Sequence, residues 1–562
     1  MHIIIIIAFL IYPCICDPIV RTSYGALKGL TIEREDGNHY HTFKSVPFMK
    51  PPLDDLRFEL PQKPDPWKNI RDASNYSPAC LTPTERIEKI PQNMSEDCLY
   101  VNIFTSEKCM RTSDCNVIIY YHGGGINLDS AIMFPDDFIL EKYVKEDIVF
   151  AIPAYRLGVF GLYNFGDEKI THQNLAFHDC IMALHFLHNE ISNFGGDPEK
   201  VTIMGHSAGA NIVLQLATSR LVDPDRKLFR RTIALSIVPG FNIPELFYHN
   251  VHEITKRSGC DNSTNISVKL ECMKKKDFND LLNVQKQLEK EGLKLWNFLN
   301  GPPFMEINGN ISKFIENSVP REYLFGCTKL EYGFKSYMLT NPSATGRFWN
   351  FENPIEVGKY FDDLQAQNNS TMFNTGAQST FVSMILYGKA IIENGGKVYF
   401  FQSDQEPHSN HVSDMQYFIG FHREKYHTPD MDILTTFYSK MLANFTKYGN
   451  PSPVWDPLDL SRMNYYSVLV DTKNDIWPSM KENFHENEYN LWKYNISAFD
   501  RYVSEQKARR LDFSLLEKNN IPNDKSSAPT IIFLSVCGLA FSVYFMVLIA
   551  KKKTRNDYIL LE

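Results

Sequence analysis

An excess of positive charge is missing from this 562-residue chain: 58 Lys and Arg stand against 66 Asp and Glu, for a net charge of −8. A protein that finds nucleic acid through a basic face is therefore not expected. Glycine and proline are at ordinary levels, 29 and 30 residues, which excludes collagen-like and low-complexity chains. With 43% hydrophobic and 22% charged residues, the chain carries enough apolar material for a globular core. No Gly-x-x-x-x-Gly-Lys phosphate loop and no Cys/His cluster with zinc-site spacing occurs, so the sequence implies no metal and no cofactor. Internal repeats and linkers are also absent between Asp17 and Asp512, and one large domain is expected there.

Long apolar runs are confined to the two ends. Ile3 to Ile11 is uninterrupted, and Cys14 and Cys16 put small residues at the −3 and −1 places of a cut after Cys16. Residues 1–16 read as a signal peptide, although a charged n-region is lacking. Thr530 to Ala550 is 21 residues without a charge. As a helix at ~1.5 Å per residue it would span about 31 Å, enough for a bilayer core. Lys551, Lys552, Lys553 and Arg555 follow directly, which places 551–562 in the cytosol. The expected organisation is a mature domain over 17–512, a stalk over 513–529, a transmembrane helix over 530–550 and a short tail. The protein is then a single-pass type I membrane protein with its ectodomain outside the cell or in a secretory lumen. Tyr558-Ile559-Leu560-Leu561 has the form of a tyrosine-based sorting signal.

An oxidising compartment changes the reading of the 11 cysteines. Three pairs close in sequence are candidate disulfides: Cys80 with Cys98, Cys109 with Cys115, and Cys260 with Cys272. Asn-x-Ser/Thr sequons at Asn93, Asn262, Asn265, Asn310, Asn369, Asn444 and Asn495 are candidate glycosylation sites.

Short apolar runs without polar alternation recur at Val117 to Tyr121, Ile148 to Ile152, Val201 to Met204, Thr232 to Ile237 and Val398 to Phe401. Strands buried on both faces look like this. Helical spacing in Asn174 to Ile191 precedes the third run, and Ala208 to Arg220 follows it as a second helix. The alternation predicts a large, mostly parallel sheet covered by helices on both faces, an α/β fold.

At the end of the third strand stands Gly205-His206-Ser207-Ala208-Gly209. A sharp strand-to-helix turn needs glycines on both sides of the serine to hold its oxygen out over the sheet edge. After the first strand comes His122-Gly123-Gly124-Gly125. Its Gly124 and Gly125 N–H groups, with that of Ala208, could converge where an ester carbonyl oxygen turns negative in a tetrahedral intermediate, as an oxyanion hole.

With these motifs the chain resembles the type-B carboxylesterase and cholinesterase family of α/β-hydrolases, from about Pro18 to Trp492. Gly25-Ala26-Leu27-Lys28-Gly29, Val46-Pro47-Phe48 and Leu56-Arg57-Phe58 are similar to its amino-terminal block. Glu96-Asp97-Cys98-Leu99-Tyr100-Val101-Asn102 is similar to its second signature. Tyr155-Arg156-Leu157-Gly158, Asn193-Phe194-Gly195-Gly196-Asp197-Pro198 and Asn444-Phe445-Thr446-Lys447-Tyr448-Gly449-Asn450-Pro451 continue the series in order.

The resemblance implies Glu331 as the acid and His411 as the base partnering Ser207. His411 stands nine residues before Gly420, whereas the competing His408 is three residues too early. It also implies that Cys80–Cys98 and Cys260–Cys272 are joined, with Cys109–Cys115 outside the family pattern. The implied activity is hydrolysis of small, uncharged carboxylic esters by a membrane-anchored serine esterase. The same family includes single-pass adhesion proteins that lack a triad member. Here Ser207, Glu331, His411 and the oxyanion glycines are all present.

Overall fold

The computed structural model describes residues 17–35, 37–83, 93–237, 244–293, 298–299, 304, 319–331, 343, 346, 349–367 and 375–519. Outside them lie the expected signal peptide, the segment 530–550 and its tail, and the sequons Asn310 and Asn369. The chain divides into two compact units, Met1–Arg501 and Tyr502–Glu562.

Eleven strands of the first unit form one sheet among the described residues: β1 (Leu30–Glu33), β2 (His39–Pro47), β3 (Tyr100–Ser106), β4 (Cys115–Tyr121), β5 (Ile148–Pro153), β6 (Gly196–His206), β7 (Arg231–Leu235), β8 (Glu322–Thr328), β9 (Lys397–Ser403), β10 (Tyr465–Val468) and β11 (Ser479–Lys481). Their spatial order is β1-β2-β3-β5-β4-β6-β7-β8-β9-β10-β11. From β5 to β10 every pairing is parallel. Both margins are antiparallel, β1 to β5 on one side and β10–β11 on the other.

The apolar runs behave as their lack of alternation requires. Val117, Ile118, Ile119, Tyr120 and Tyr121 of β4 are all buried, as are Val149, Phe150 and Ala151 of β5. Helices supply the cover: α1 (Leu175–Glu190), α2 (Ala208–Thr218), α3 (Thr375–Glu393) and α4 (Pro429–Tyr448). The Thr428 side chain caps α4 by accepting from the Met431 N–H, Pro429 occupies the first turn, and Gly449 ends the helix in a left-handed conformation.

Blocks far apart in sequence meet through buried ion pairs. Arg57 Nε donates to Glu96 Oε1 at 2.6 Å, and Arg156 Nη2 donates to Asp179 Oδ1 at 2.7 Å. Removing one partner of such a pair strands the other charge in the interior, which costs about 3–5 kcal/mol. The sulfurs of Cys80–Cys98, Cys109–Cys115 and Cys260–Cys272 are bonded, while Cys180 and Cys327 are buried thiols.

Two boundaries differ from expectation. The run Thr232 to Ile237 leaves the sheet at Leu235 because Ser236 turns to φ 51°. The expected stalk begins as helix: α5 (Ser497–Asn519) contains no Gly or Pro, and the first proline after it is Pro522. Among the described residues no helix is long and apolar enough to cross a membrane, and 530–550 lies outside them.

Candidate active site

Strand β6 ends at His206, and Ser207 takes φ 56° and ψ −122° before α2 begins at Ala208. A serine pays for this backbone with strain, which its surroundings hold in place. The Ser207 N–H donates to the Leu235 carbonyl at 2.9 Å, and its carbonyl accepts from Ala210 at 2.9 Å. The two flanking glycines are sterically required. A Cβ on Gly205 would sit 2.1 Å from the Gly209 carbonyl oxygen, and one on Gly209 would sit 2.0 Å from that of Tyr121.

The glycine loop after β4 lies against this turn. A Cβ on Gly123 would stand 2.9 Å from the His206 carbonyl oxygen and 3.2 Å from the Ser207 Cβ. Gly124 and Gly125 take φ 90° and 65°. The Gly124 carbonyl accepts from Asn127 and Leu128, and the Tyr155 hydroxyl donates to the His122 carbonyl at 2.7 Å while its ring stacks on His122 at 4.3 Å. The loop's carbonyls are thus spent on the scaffold. No described residue accepts from the N–H groups of Gly124, Gly125 or Ala208.

Glu331 lies just past β8, fully buried at φ 45°. Its Oε1 accepts from the Thr328 N–H and the Ser236 hydroxyl, both at 2.8 Å. Its Oε2 is 2.6 Å from His411 Nδ1, and His411 Nε2 is 3.0 Å from Ser207 Oγ. The backbone joins in, with the His411 N–H donating to the Glu331 carbonyl at 2.6 Å. A hydroxyl, an imidazole and a carboxylate in this series can move a proton off the hydroxyl and hold the charge that results. His408 is not brought to the serine; its Nδ1 faces Glu424 Oε1 at 3.2 Å. Val412, next to His411, takes φ 68°, a conformation a β-branched residue rarely adopts.

Burial shifts several surrounding titratable groups towards their uncharged forms. Burial pushes His122 down to about 4. Burial, then the neighbouring His411 and His422, holds His206 well below the ordinary range. Burial, then the charge of Glu331, raises Asp414 to about 8, so it keeps its proton at neutral pH. On the glycine loop, burial raises Asp129 to about 6.

Residues 16–382 match the carboxylesterase family, well over half of the chain. The chain belongs to that family. Carboxylesterase 1F of Mus musculus is 29% identical over 508 residues, covering 79% of this chain and 88% of the mouse protein. Gut esterase 1 of Caenorhabditis elegans is 27% identical, covering 87% of this chain and 81% of its own. The fold is that of juvenile hormone esterase from Manduca sexta, solved with OTFP covalently attached. That structure aligns at a TM-score of 0.70 with 20% identity, over 85% of this chain and 99% of its own. The family membership and these esterase relatives make the protein a carboxylic ester hydrolase of the α/β-hydrolase fold, resembling carboxylesterases rather than cholinesterases.

Sequence reasoning missed the groups behind the site. Ser236 and Thr328 anchor Glu331, and no local pattern marks either residue. Tyr155 stood in a matched block without a role, and only the fold brings it under the glycine loop.

Gly209→Ala tests the close approach at the serine turn. Its methyl group would overlap the Tyr121 carbonyl, and the backbone shift should cost about 3 kcal/mol or more. The expected outcome is a fall in melting temperature together with loss of esterase activity.

Proposed function

We propose that this chain is a membrane-anchored serine carboxylesterase acting on uncharged esters outside the cell or in a secretory compartment. The observation that carries the reading is the continuous series from Ser207 Oγ through the His411 ring to Glu331, at 3.0 and 2.6 Å, beside three N–H groups without described acceptors.

Glu331 orients His411 so that Nε2 accepts the Ser207 proton, and it stabilises the imidazolium that forms. Ser207 Oγ attacks the ester carbonyl, and the N–H groups of Gly124, Gly125 and Ala208 hold the oxygen as it becomes negative. His411 then gives its proton to the departing alcohol, leaving an acyl-Ser207. Water, deprotonated by His411, attacks the acyl group in the same geometry and restores the free serine.

Location rests on the sequence features at the two ends. Three disulfides suit an oxidising compartment. Asn93, Asn262, Asn265 and Asn495 are exposed and suited to carry glycans. Asn444 is half-buried and its amide donates to the Pro451 carbonyl at 3.3 Å, which suits it less.

Preference for uncharged esters follows from two features of the sequence. Cationic ammonium groups are bound by aromatic faces, tryptophan above all, supported by negative charge. Cholinesterases keep a tryptophan between the first two bridged cysteines and an acidic residue before the nucleophile. Leu81 to Asp97 holds no aromatic residue, and the position before Ser207 is the neutral His206.

Three outcomes are expected. Ser207→Ala should lower ester hydrolysis by several orders of magnitude without changing folding, measured as kcat/KM beside the melting temperature. Truncation before Thr530 should release an active enzyme into the medium, and retention in the cell would contradict the anchor. Acetylthiocholine should show a kcat/KM about tenfold or more below that of phenyl acetate, since a lost cation–π contact costs about 2 kcal/mol.

A further inference from the structure

Two residues past Gly125, Asn127 is fully buried, and each of its polar atoms is bonded. Its N–H donates to the Gly124 carbonyl at 3.0 Å, and its carbonyl accepts from the Thr82 hydroxyl at 2.8 Å. Its side chain reaches across to the helix Phe278–Lys290: Nδ2 donates to Glu289 Oε1 at 2.7 Å, and Oδ1 accepts from Gln285 Nε2 at 2.6 Å. Gln285, 1% exposed, closes the ring by donating to Glu289 Oε1 at 2.9 Å, and its Oε1 accepts from the Val159 N–H at 2.9 Å. Gly158 is pressed against the same ring: a Cβ there would stand 2.7 Å from Asn127 Oδ1 and from both Gln285 amide atoms, while its N–H donates to the Ile126 carbonyl at 2.8 Å. None of these contacts takes part in the proton transfers described above.

What the network holds is a strained turn. Gly124, Gly125 and Ile126 take φ of 90°, 65° and 60° in succession, and the Gly124 carbonyl accepts from both Asn127 and Leu128, which makes one left-handed turn. Glycine enters that region freely, but a β-branched isoleucine stays there only where its surroundings over-determine it. Apolar contact would suffice merely to join the loop to the helix. Buried amides fix direction as well, and are tolerable only with their bonds made.

We propose, on the reading of the glycine loop as the oxyanion hole given above, that Asn127, Gln285 and Glu289 are positioning residues for ester hydrolysis: they clamp the left-handed turn to the helix Phe278–Lys290 and so keep its N–H groups aimed at the reacting oxygen.

Three parts of the chain meet on this one turn. The helix contributes Gln285 and Glu289, four residues apart and therefore on one face. Its own start is capped by Asp277, which accepts from the Asn279 N–H, and buried Leu281 and Leu288 seat it. The segment after β5 contributes Gly158 and Val159, and Thr82 comes from beside the Cys80–Cys98 bridge. With the Asn127 side chain or the Glu289 acceptor removed, Ile126 relaxes from φ 60° and the peptide groups of the two glycines turn with it. An N–H that misses the oxygen weakens the tetrahedral intermediates of acylation and deacylation alike, so kcat falls while KM stays.

The test is hydrolysis of phenyl acetate by the full-length enzyme and three variants, with kcat expressed per Ser207 titrated by a fluorophosphonate, beside the Ki of an alkyl trifluoromethyl ketone. Ser207 Oγ adds to the ketone's carbonyl carbon, the carbonyl oxygen becomes the oxyanion, and the serine proton passes to His411, so the ketone's affinity reports on the oxyanion site. Asn127→Ala and Glu289→Ala should lower kcat per site about tenfold or more with KM within about twofold, and should weaken the ketone by a similar factor. Glu289→Gln, whose amide oxygen accepts the same two bonds, should recover most of that loss. Unchanged kcat per titrated site in both alanine variants would overturn the proposal. So would a fall in kcat that leaves the ketone's Ki at the wild-type value, or a Glu289→Gln enzyme as impaired as Glu289→Ala. If Asn127→Ala does not fold, the two Glu289 variants decide. A folded wild type that takes no fluorophosphonate would instead overturn the reading of Ser207 and its oxyanion site, and this proposal with it.

Discussion

Everything at the site depends on how closely two turns at the same end of the sheet approach each other. Strand β6 pairs with β4 in parallel register, Gly205 opposite Tyr121, so the turns that follow them begin side by side. Gly209 then passes within 2.0 Å, as a Cβ would measure it, of the Tyr121 carbonyl, and Gly123 packs on the His206 carbonyl. A side chain at either glycine would push Ser207 away from the glycine loop. Parallel strands place their C-terminal ends together, and ligands of open α/β sheets bind there. The rest of the architecture serves to hold these turns in register.

The next strands extend the same logic. Ser236 follows β7 and Thr328 ends β8, so each strand delivers one donor to Glu331 Oε1 where it leaves the sheet. With both donors engaged, Oε2 is left for His411. The carboxylate is fully buried, and a buried charge is tolerable only when its lone pairs are occupied in this way. Around it Asp414 stays protonated and His122 and His206 stay neutral, each chiefly through burial. Among these groups, Glu331 is therefore the carboxylate whose charge faces His411.

Parts governed by short-range pattern were legible in the sequence. Continuous apolar runs located β4, β5, β6, β7 and β9, and the glycines around Ser207 located the turn because only backbone sterics decide it. Glu331 and His411 lie 124 and 204 residues beyond Ser207, so no local spacing joins them and family resemblance had to supply the link. Ser236 was hidden because its apolar flanks, Leu235 and Ile237, read as unbroken strand, whereas the turn there is set by its partner Glu331. The packing of the His206 ring against His411, 5.1 Å apart and tilted by 31°, was equally invisible: a histidine beside a serine in sequence says nothing of a ring arriving from another element. At the carboxyl end, the Pro- and Ser-containing composition of the expected stalk concealed that its first residues continue α5.

The central claim is that Ser207 is the nucleophile, activated by His411 and Glu331. Intact-protein and peptide mass spectrometry after reaction with a fluorophosphonate tests it most directly, because only an activated hydroxyl facing a formed oxyanion site reacts stoichiometrically. One phosphonyl adduct per chain, on the peptide containing Ser207 and lost in His411→Ala, is the result expected. A folded protein that takes no adduct, or carries it on another residue, would contradict the account.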